Sequence, residues 1–180
     1  MIKMKEKNTT TKPTTILPPA LIATVKSFEN LYKLRQAIPL MIIGPSGVGK
    51  SLFVHIYEHL YKCEHGDAKP FKRLNCSTFS KELITSELFG HVKGAFTGAV
   101  NDKKGLIEVA DGGCVVLEEI GELSKENQAT LLTFIEDGYF YPVGSTEDKR
   151  STDHIISTTN KSKDNFREDF LYRFFPFYVP

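Results

Sequence analysis

The stretch GPSGVGKS constrains the fold most strongly, because it matches G-x-x-x-x-G-K-[ST] between an apolar run and an amphipathic segment. Its glycines let backbone N–H groups close around phosphate oxygens, and the helix that follows contributes its positive end. A Gly-rich turn with an exposed lysine is the alternative, which the flanking strand and helix patterns disfavour. We therefore predict that this stretch binds nucleotide phosphates. The predicted binding residues are Gly44, Pro45, Ser46, Gly47, Val48, Gly49, Lys50 and Ser51.

The rest of the chain alternates short apolar runs with amphipathic segments. Strands are predicted in IPLMIIG, FKRLN, CVVLEEI and HIISTTN. Helices are predicted in ALIATVKSFENLYKLRQ, SLFVHIYEHLYKC, TFSKELITSELFG, KENQATLLTFIEDG and NFREDFLYRF. This alternation predicts an α/β fold in which a parallel sheet is sandwiched between helices. Residues 1–16 are polar and rich in Lys and Thr, so we expect a flexible leader before one domain at 17–180.

Composition argues against several classes of function. A net charge of +1 over 180 residues gives no electrostatic reason to bind nucleic acid or a membrane surface. The three cysteines lack CxxC spacing, so neither a disulfide framework nor a zinc site is indicated. No apolar run reaches the length of a membrane span, and the N-terminus has no signal-peptide core. We expect a cytoplasmic protein with reduced thiols, and no direct DNA binding by this segment.

The run CVVLEEI brings two acids to the end of a predicted strand. Glu118 and Glu119 would lie at the carboxyl edge of the sheet, where open α/β sheets bind their ligands. One acid there can hold Mg²⁺, and the other can orient or deprotonate an attacking water. Two acids after a strand are also typical of a solvated helix cap, but a neighbouring phosphate loop favours catalysis. We predict that Ser51 and Glu118 bind Mg²⁺ and that Glu119 is catalytic.

A second unusual segment is GHVKGAFTGAV, from Gly90 to Val100. Its glycines indicate a loop, and a phenylalanine at a loop tip is a liability unless it inserts into something. The loop either contacts a partner or folds back and buries its phenylalanine against its own domain. We predict the partner contact. The predicted contact residues are Gly94, Ala95, Phe96, Thr97, Gly98 and Ala99.

The sequence GAFTGA, within SELFGHVKGAFTGA, resembles the signature loop of the AAA+ activators of sigma-54 RNA polymerase, which are bacterial enhancer-binding proteins. The resemblance runs from about Pro18 to Pro180 and includes LNCSTF, ADGGCVVLEEIGELS, TTN and FREDFLYRF. It implies a P-loop NTPase fold and an ATP-driven ring, usually a hexamer. Such a ring remodels the closed complex of sigma-54 polymerase so that promoter DNA can melt. Phe96 and Thr97 would form the tip of a mobile loop that touches sigma-54.

The resemblance also assigns roles to residues outside these motifs. Asn75 matches a switch asparagine that would hold Glu119 away from water until the γ-phosphate is sensed, and Asn160 matches the γ-phosphate sensor. Arg167 and Arg173 match arginines that are offered to the neighbouring subunit's ATP, so hydrolysis would require assembly. Without the resemblance, both arginines are ordinary solvated charges on a helix.

Three departures from the family pattern bear on activity. The family carries Asp-Glu after the strand, whereas this chain carries Glu118 and Glu119. A misplacement of about 1 Å can cost ~10²-fold in rate, while Mg²⁺ tolerates indirect ligation, so binding should survive better than turnover. The sequence ends at Pro180, so we expect the helical lid to be absent from it. Only KSKDN separates Asn160 from Phe166, a stretch that is longer and partly helical in the family.

Three hypotheses follow. The first is an ATPase, the motor core of a sigma-54-dependent activator. The second is an ATP-responsive module that binds sigma-54 but hydrolyses poorly, which Glu118 and the missing lid favour for this chain. The third is another P-loop machine, such as a helicase loader, against which GAFTGA argues. Steady-state turnover separates the first two, and sigma-54 binding separates both from the third.

Overall fold

A five-stranded parallel sheet forms the centre of the computed structural model, which describes residues 19–34 and 38–179. In chain order the strands are β1 (Leu40–Ile43), β2 (Phe71–Asn75), β3 (Gly90–His91), β4 (Lys103–Lys104), β5 (Cys114–Glu118), β6 (Tyr139–Phe140), β7 (Lys149–Arg150), β8 (His154–Thr159) and β9 (Phe175–Tyr178). The α-helices are α1 (Pro19–Leu34), α2 (Lys50–His65), α3 (Lys81–Phe89), α4 (Leu106–Ala110), α5 (Lys125–Asp137) and α6 (Glu168–Tyr172). The predicted α/β class is confirmed. The predicted leader lies outside the described residues.

The order of the strands places the carboxyl ends of the chemically important ones side by side. The main sheet runs β2-β5-β8-β1-β9, and all four pairings are parallel. From β1 the chain crosses over to β2 at one edge, so the loop after β1 opens beside the end of β8. Ligands of open α/β sheets bind at such a point of changing strand order. The hairpins β3–β4 and β6–β7 form separate antiparallel pairs.

Helices cover both faces of the sheet, and each face has its own apolar core. Successive strand residues point to opposite faces, so Met41 and Ile42 belong to different cores. One core joins the sheet to α1 and α2 through Phe28, Phe53, Val54, Tyr57, Val116 and Ile156. The other joins it to α3, α4, α5 and α6 through Leu88, Ile107, Leu117, Leu131, Ile155 and Phe170. Because both faces are buried, strands β1 and β5 consist of nearly continuous apolar residues.

The structure corrects the prediction for NFREDFLYRF and adds a strand after it. Helix α6 spans only Glu168–Tyr172, and Phe175–Tyr178 forms β9, which sequence reasoning missed. The N–H of Phe175 donates to the carbonyl oxygen of Pro39 at 2.8 Å. Pro176 lacks an N–H, which an edge strand tolerates because its outer side is unpaired. Pairing with β1 therefore decides the conformation of this segment.

His154, at the start of β8, predicts a dependence of stability on pH. Its ring stacks on Tyr57 at 5.8 Å, and its buried Nε2 has no hydrogen-bond partner among the described residues. Burial lowers the pKa of His154 from 6.5 to about 4. The unfolded chain binds this proton near pH 6.5 and the folded chain only near pH 4. The free energy of unfolding should therefore fall between those pH values as pH drops, by roughly 1.4 kcal/mol per pH unit.

Chemical denaturation at several pH values between 7 and 4 checks this. His154→Phe keeps an aromatic ring and is expected to flatten the slope, while the exposed His59→Gln should retain it. Burial raises the pKa of the Asp153 carboxyl above its ordinary value of 3.8. The folded chain therefore binds that proton at a higher pH than the unfolded chain, which opposes the effect of His154. Equal slopes for wild type and His154→Phe would contradict the prediction.

Candidate nucleotide-binding site

The P-loop, residues 44–51, links β1 to α2. Its glycines are needed for two different reasons, backbone conformation and lack of space for a side chain. Gly47 (φ 81°) and Gly49 (φ 102°) adopt left-handed conformations, although nothing would crowd a Cβ at either position. At Gly44 the constraint is space, because a Cβ there would lie 3.0 Å from the carbonyl oxygen of Val179. The loop therefore presents backbone N–H groups at the start of α2, as phosphate binding requires.

Lys50 lies inside the P-loop with its ammonium group held by the loop itself. Its Nζ donates to the carbonyl oxygens of Gly44 at 2.9 Å and Pro45 at 3.1 Å, and the residue is only 7% exposed. The Nζ is also 4.0 Å from Oε1 of Glu119. The predicted phosphate lysine and the predicted catalytic acid therefore share one site.

Glu119 has a strained backbone conformation at the end of β5. Its φ and ψ are 52° and 47°, the left-handed region that non-glycine residues rarely adopt. Such a residue costs on the order of 1–3 kcal/mol and is typical of functional sites. Its N–H donates to Oγ1 of Thr158 on β8 at 3.2 Å. The neighbouring strand thus helps to fix the position of this acid.

Glu118 is held by Arg73, a residue that sequence reasoning missed. Arg73 Nε and Nη2 donate to Glu118 Oε1 at 2.9 and 2.5 Å. The Arg73 Nη1 also contacts His55 Nε2 at 3.3 Å. Its position in the sequence could have indicated this contact. Arg73 precedes Asn75 by two residues and therefore lies on the same face of β2.

The two asparagines implied by the resemblance lie at the same edge of the sheet but make different contacts. Asn160 follows β8, and its Nδ2 donates to Oγ of Ser46 in the P-loop at 2.8 Å. Asn75 ends β2, and its Oδ1 accepts from the N–H and Oγ of Ser77 at 2.9 and 2.7 Å. In the described part of the chain no hydrogen bond joins Asn75 to Glu119.

A cavity of about 340 Å³ lies between the P-loop and the two acids after β5. It is lined by Ser46, Gly47, Gly49, Lys50, Ser51, Glu118, Glu119 and Thr158. The buried lysine and the N–H groups at the start of α2 fit phosphate oxygens. The Ser51 hydroxyl and the carboxylates are oxygen ligands of the kind that Mg²⁺ prefers. The residues present therefore fit a nucleotide phosphate chain with its Mg²⁺.

Arg167 and Arg173 do not line this cavity. The backbone N–H of Arg167 donates to the buried Gln128 at 2.9 Å, while its guanidinium binds the exposed Asp169 at 3.0 and 2.6 Å. The hydrogen bond from Asp169 raises the pKa of Arg167 further above its ordinary value. Arg173 Nη2 pairs with Oε1 of Glu136. Both side chains lie at the surface, paired within the chain.

The GAFTGA loop (residues 94–99) is a compact turn within the connection between β3 and β4. Its ends meet where the N–H of Gly94 donates to the carbonyl oxygen of Ala99 at 2.8 Å. Phe96 is 38% exposed, and its ring contacts that of His91 edge-to-face at 5.0 Å. Phe96 is therefore neither free in solvent nor buried, and the contact leaves part of its ring accessible.

Comparison with known proteins decides the family. A family model described as "Sigma-54 interaction domain" matches residues 19–179, which is most of the chain. The chain belongs to the sigma-54 interaction domain family. The match includes the P-loop, the acids after β5 and the GAFTGA loop, so the resemblance drawn from those motifs is confirmed.

Curated relatives are regulatory proteins that are much longer than this chain. The Nif-specific regulatory protein of Azotobacter vinelandii is 43% identical over 140 residues, covering 74% of this chain and 26% of the relative. The luminescence regulatory protein LuxO of Vibrio campbellii is 41% identical over 149 residues, covering 78% and 32%. The chain thus spans about a quarter to a third of the length of these two relatives.

Solved structures support the fold. NtrX from Brucella abortus in complex with ADP superimposes with a TM-score of 0.76 at 28% identity, over 92% of this chain and 37% of that chain. The same protein in complex with ATP gives a TM-score of 0.75 at 28% identity, over 91% and 36%. Among the described residues of the present chain, no helix is long and apolar enough to cross a membrane.

Proposed function

We propose that this chain is the ATP-hydrolysing core of a cytoplasmic activator that remodels sigma-54 RNA polymerase to permit promoter opening. The observation that carries the proposal is that one domain holds both a site whose residues fit a nucleotide and the GAFTGA loop. Nucleotide state would raise or lower the loop, and Phe96 with Thr97 would contact sigma-54. Subunits would assemble into a ring, a hexamer in the full-length protein.

Each group at the site has a separate task in this proposal. Lys50 would exchange its carbonyl partners for the β- and γ-phosphates, while Ser51 and Glu118 would hold Mg²⁺. When bound, the metal neutralises charge that develops on the phosphates. Glu119 would orient and deprotonate the attacking water. Asn160 already contacts the P-loop through Ser46, which suits a sensor of the γ-phosphate.

The switch role proposed for Asn75 requires a rearrangement of its side chain. Its Oδ1 is engaged by Ser77, so an interaction with Glu119 would need the amide to leave that partner or to use its Nδ2. Two states of one amide are what a switch needs, because each state must have its own partners.

The two arginines would act on the ATP of the adjacent subunit. Arg167 and Arg173 are surface residues whose partners, Asp169 and Glu136, belong to the same chain. Exposed ion pairs are weak, so exchange for a phosphate across an interface costs little. A guanidinium there would stabilise charge on the transferred phosphoryl group, and hydrolysis would depend on assembly.

A second candidate function is an ATP-responsive sigma-54-binding module with little hydrolysis. The observation that favours it is the ion pair of Glu118 with Arg73, which occupies one oxygen of the predicted metal ligand. Comparing the turnover of Glu118→Asp with wild type separates the two functions. A wild-type chain that binds ATP without turnover, with turnover restored by Glu118→Asp, would establish the binding module.

Steady-state ATP hydrolysis measured against protein concentration tests the proposed function. We expect the rate per subunit to rise with concentration, because Arg167 and Arg173 act across subunits. Lys50→Ala and Arg173→Ala should each be inactive alone. An equimolar mixture should recover activity, because Lys50→Ala subunits supply the arginine and Arg173→Ala subunits supply an intact P-loop. A rate per subunit that is independent of concentration would overturn assembly-dependent hydrolysis.

A further inference from the structure

Arg73 lies between helix α2 and strand β5, in contact with the predicted metal ligand Glu118. Asn75 of β2 pairs in register with Glu118, and Arg73 shares a face with Asn75, so its side chain reaches Glu118 diagonally. On the helix side, Arg73 Nη1 lies 3.8 Å from Glu58 Oε2 and 3.3 Å from His55 Nε2. The guanidinium is therefore fixed from two elements at once.

A continuous path of hydrogen bonds runs from Ser51 to Glu118. His55 Nδ1 is 2.7 Å from the carbonyl oxygen of Ser51, which can only accept, so Nδ1 carries the proton. The ring Nε2 then accepts from Arg73 Nη1, and Arg73 donates to Glu118. The residues at the two ends of this path are the two that the P-loop motif and the acid pair designate for Mg²⁺.

We propose that Arg73 is a positioning residue that orients the Glu118 carboxylate for Mg²⁺, with His55 as its support. The inference rests on the proposed nucleotide site and adds a residue to it. Both bonds from Arg73 converge on Oε1, so Oε2 remains the oxygen that Arg73 does not occupy. Fixing one oxygen restricts the orientation of the other, which favours a metal ligand.

The two hydrogen bonds from Arg73, the Arg73 clamp, matter because residue 118 is a glutamate. A glutamate has one more rotatable bond than an aspartate and loses more side-chain entropy when it is fixed. The planar guanidinium restrains a carboxylate through two donors, whereas a lysine ammonium has no such fork. The side chains of Arg73 and Glu118 are 32% and 23% exposed, so water screens the pair only partly.

A metal titration tests this with the full chain. Mn²⁺ replaces Mg²⁺ as the probe, a non-hydrolysable ATP analogue is present, and the free Mn²⁺ EPR signal reports binding. Arg73→Lys keeps the charge but loses the fork, so Mn²⁺ binding should weaken roughly 10-fold. In the Glu118→Asp background, the shorter side chain does not depend on the clamp. Arg73→Lys should there change Mn²⁺ affinity by less than about twofold.

Further variants distinguish positioning from charge. Arg73→Gln removes the charge and should weaken Mn²⁺ binding as Arg73→Lys does; tighter binding would show that Arg73 acts as an electrostatic brake and would overturn the proposal. Arg150 is an exposed residue of β7 that pairs with Asp148. Arg150→Lys should leave Mn²⁺ binding unchanged. Thermal unfolding and analogue binding in EDTA establish that each variant is folded, and either Arg73 variant alone suffices for the test.

The outcomes separate this inference from the proposed function. If the wild-type chain binds neither analogue nor Mn²⁺, the proposed function fails, and the role of Arg73 fails with it. If the wild-type chain binds both but folded Arg73 variants bind Mn²⁺ equally well, only the inference is overturned. Equal losses in the wild-type and Glu118→Asp backgrounds would also overturn it, because Arg73 would then act without Glu118.

Discussion

Replacement of Glu119 by glutamine is expected to lower the rate of ATP hydrolysis roughly 1,000-fold while leaving ATP binding intact. Glutamine matches glutamate in size and keeps the hydrogen bond from the residue's N–H to Thr158, but its amide cannot take a proton from water. Lys50, at 4.0 Å, would lose a charged neighbour and keep its carbonyl partners. Phosphate release measures turnover, and a fluorescent ATP analogue measures binding.

Glu122→Gln is the matched control for this prediction. Glu122 lies three residues further on and pairs with Lys161 at 3.0 Å, outside the residues that line the cavity. This variant should retain the wild-type rate. If Glu119→Gln hydrolyses ATP at a rate comparable to wild type, another group removes the proton from water. The strained backbone at Glu119 would then have a structural role and not a catalytic one.

The phosphate loop and most of the sheet could be predicted from sequence because their signals are local. GPSGVGKS specifies a conformation within eight consecutive residues, and Gly47 and Gly49 there adopt left-handed conformations that favour glycine. The strands β1 and β5 are buried on both faces, so each appears as an apolar run. Strand ends then placed Glu118 at the edge where the cavity is found.

The remaining features depend on contacts between distant parts of the chain. Strand β9 contains Pro176 and follows a helical segment, and only pairing with β1 makes it a strand. The bond from Arg73 to Glu118 joins residues 45 positions apart, so neither sequence segment predicts it alone. The left-handed backbone of Glu119 likewise has no local signal, because glutamate does not favour that conformation.

Truncation of Phe96 to alanine is expected to weaken binding of sigma-54 by roughly 30- to 1,000-fold, the range for an aromatic residue at the centre of an interface. The ring is 38% exposed and held against His91, so it is partly ordered before any partner arrives. Ordering in advance reduces the entropy cost of binding. Because the ring lies outside the nucleotide cavity, ATP hydrolysis should stay at the wild-type level.

Val100→Ala provides the comparison, since Val100 is 70% exposed and lies immediately beyond GAFTGA. Loss of an exposed apolar residue outside the loop should change sigma-54 binding little. Titration of labelled sigma-54 with each variant, in the presence of a γ-phosphate analogue, measures both affinities. If Phe96→Ala and Val100→Ala bind sigma-54 equally well, another surface must contact sigma-54. Phe96 would then contribute only to the stability of the domain, through its contact with His91. Loss of binding in Phe96→Ala alone, with hydrolysis unchanged, would separate the contact surface from the ATP site.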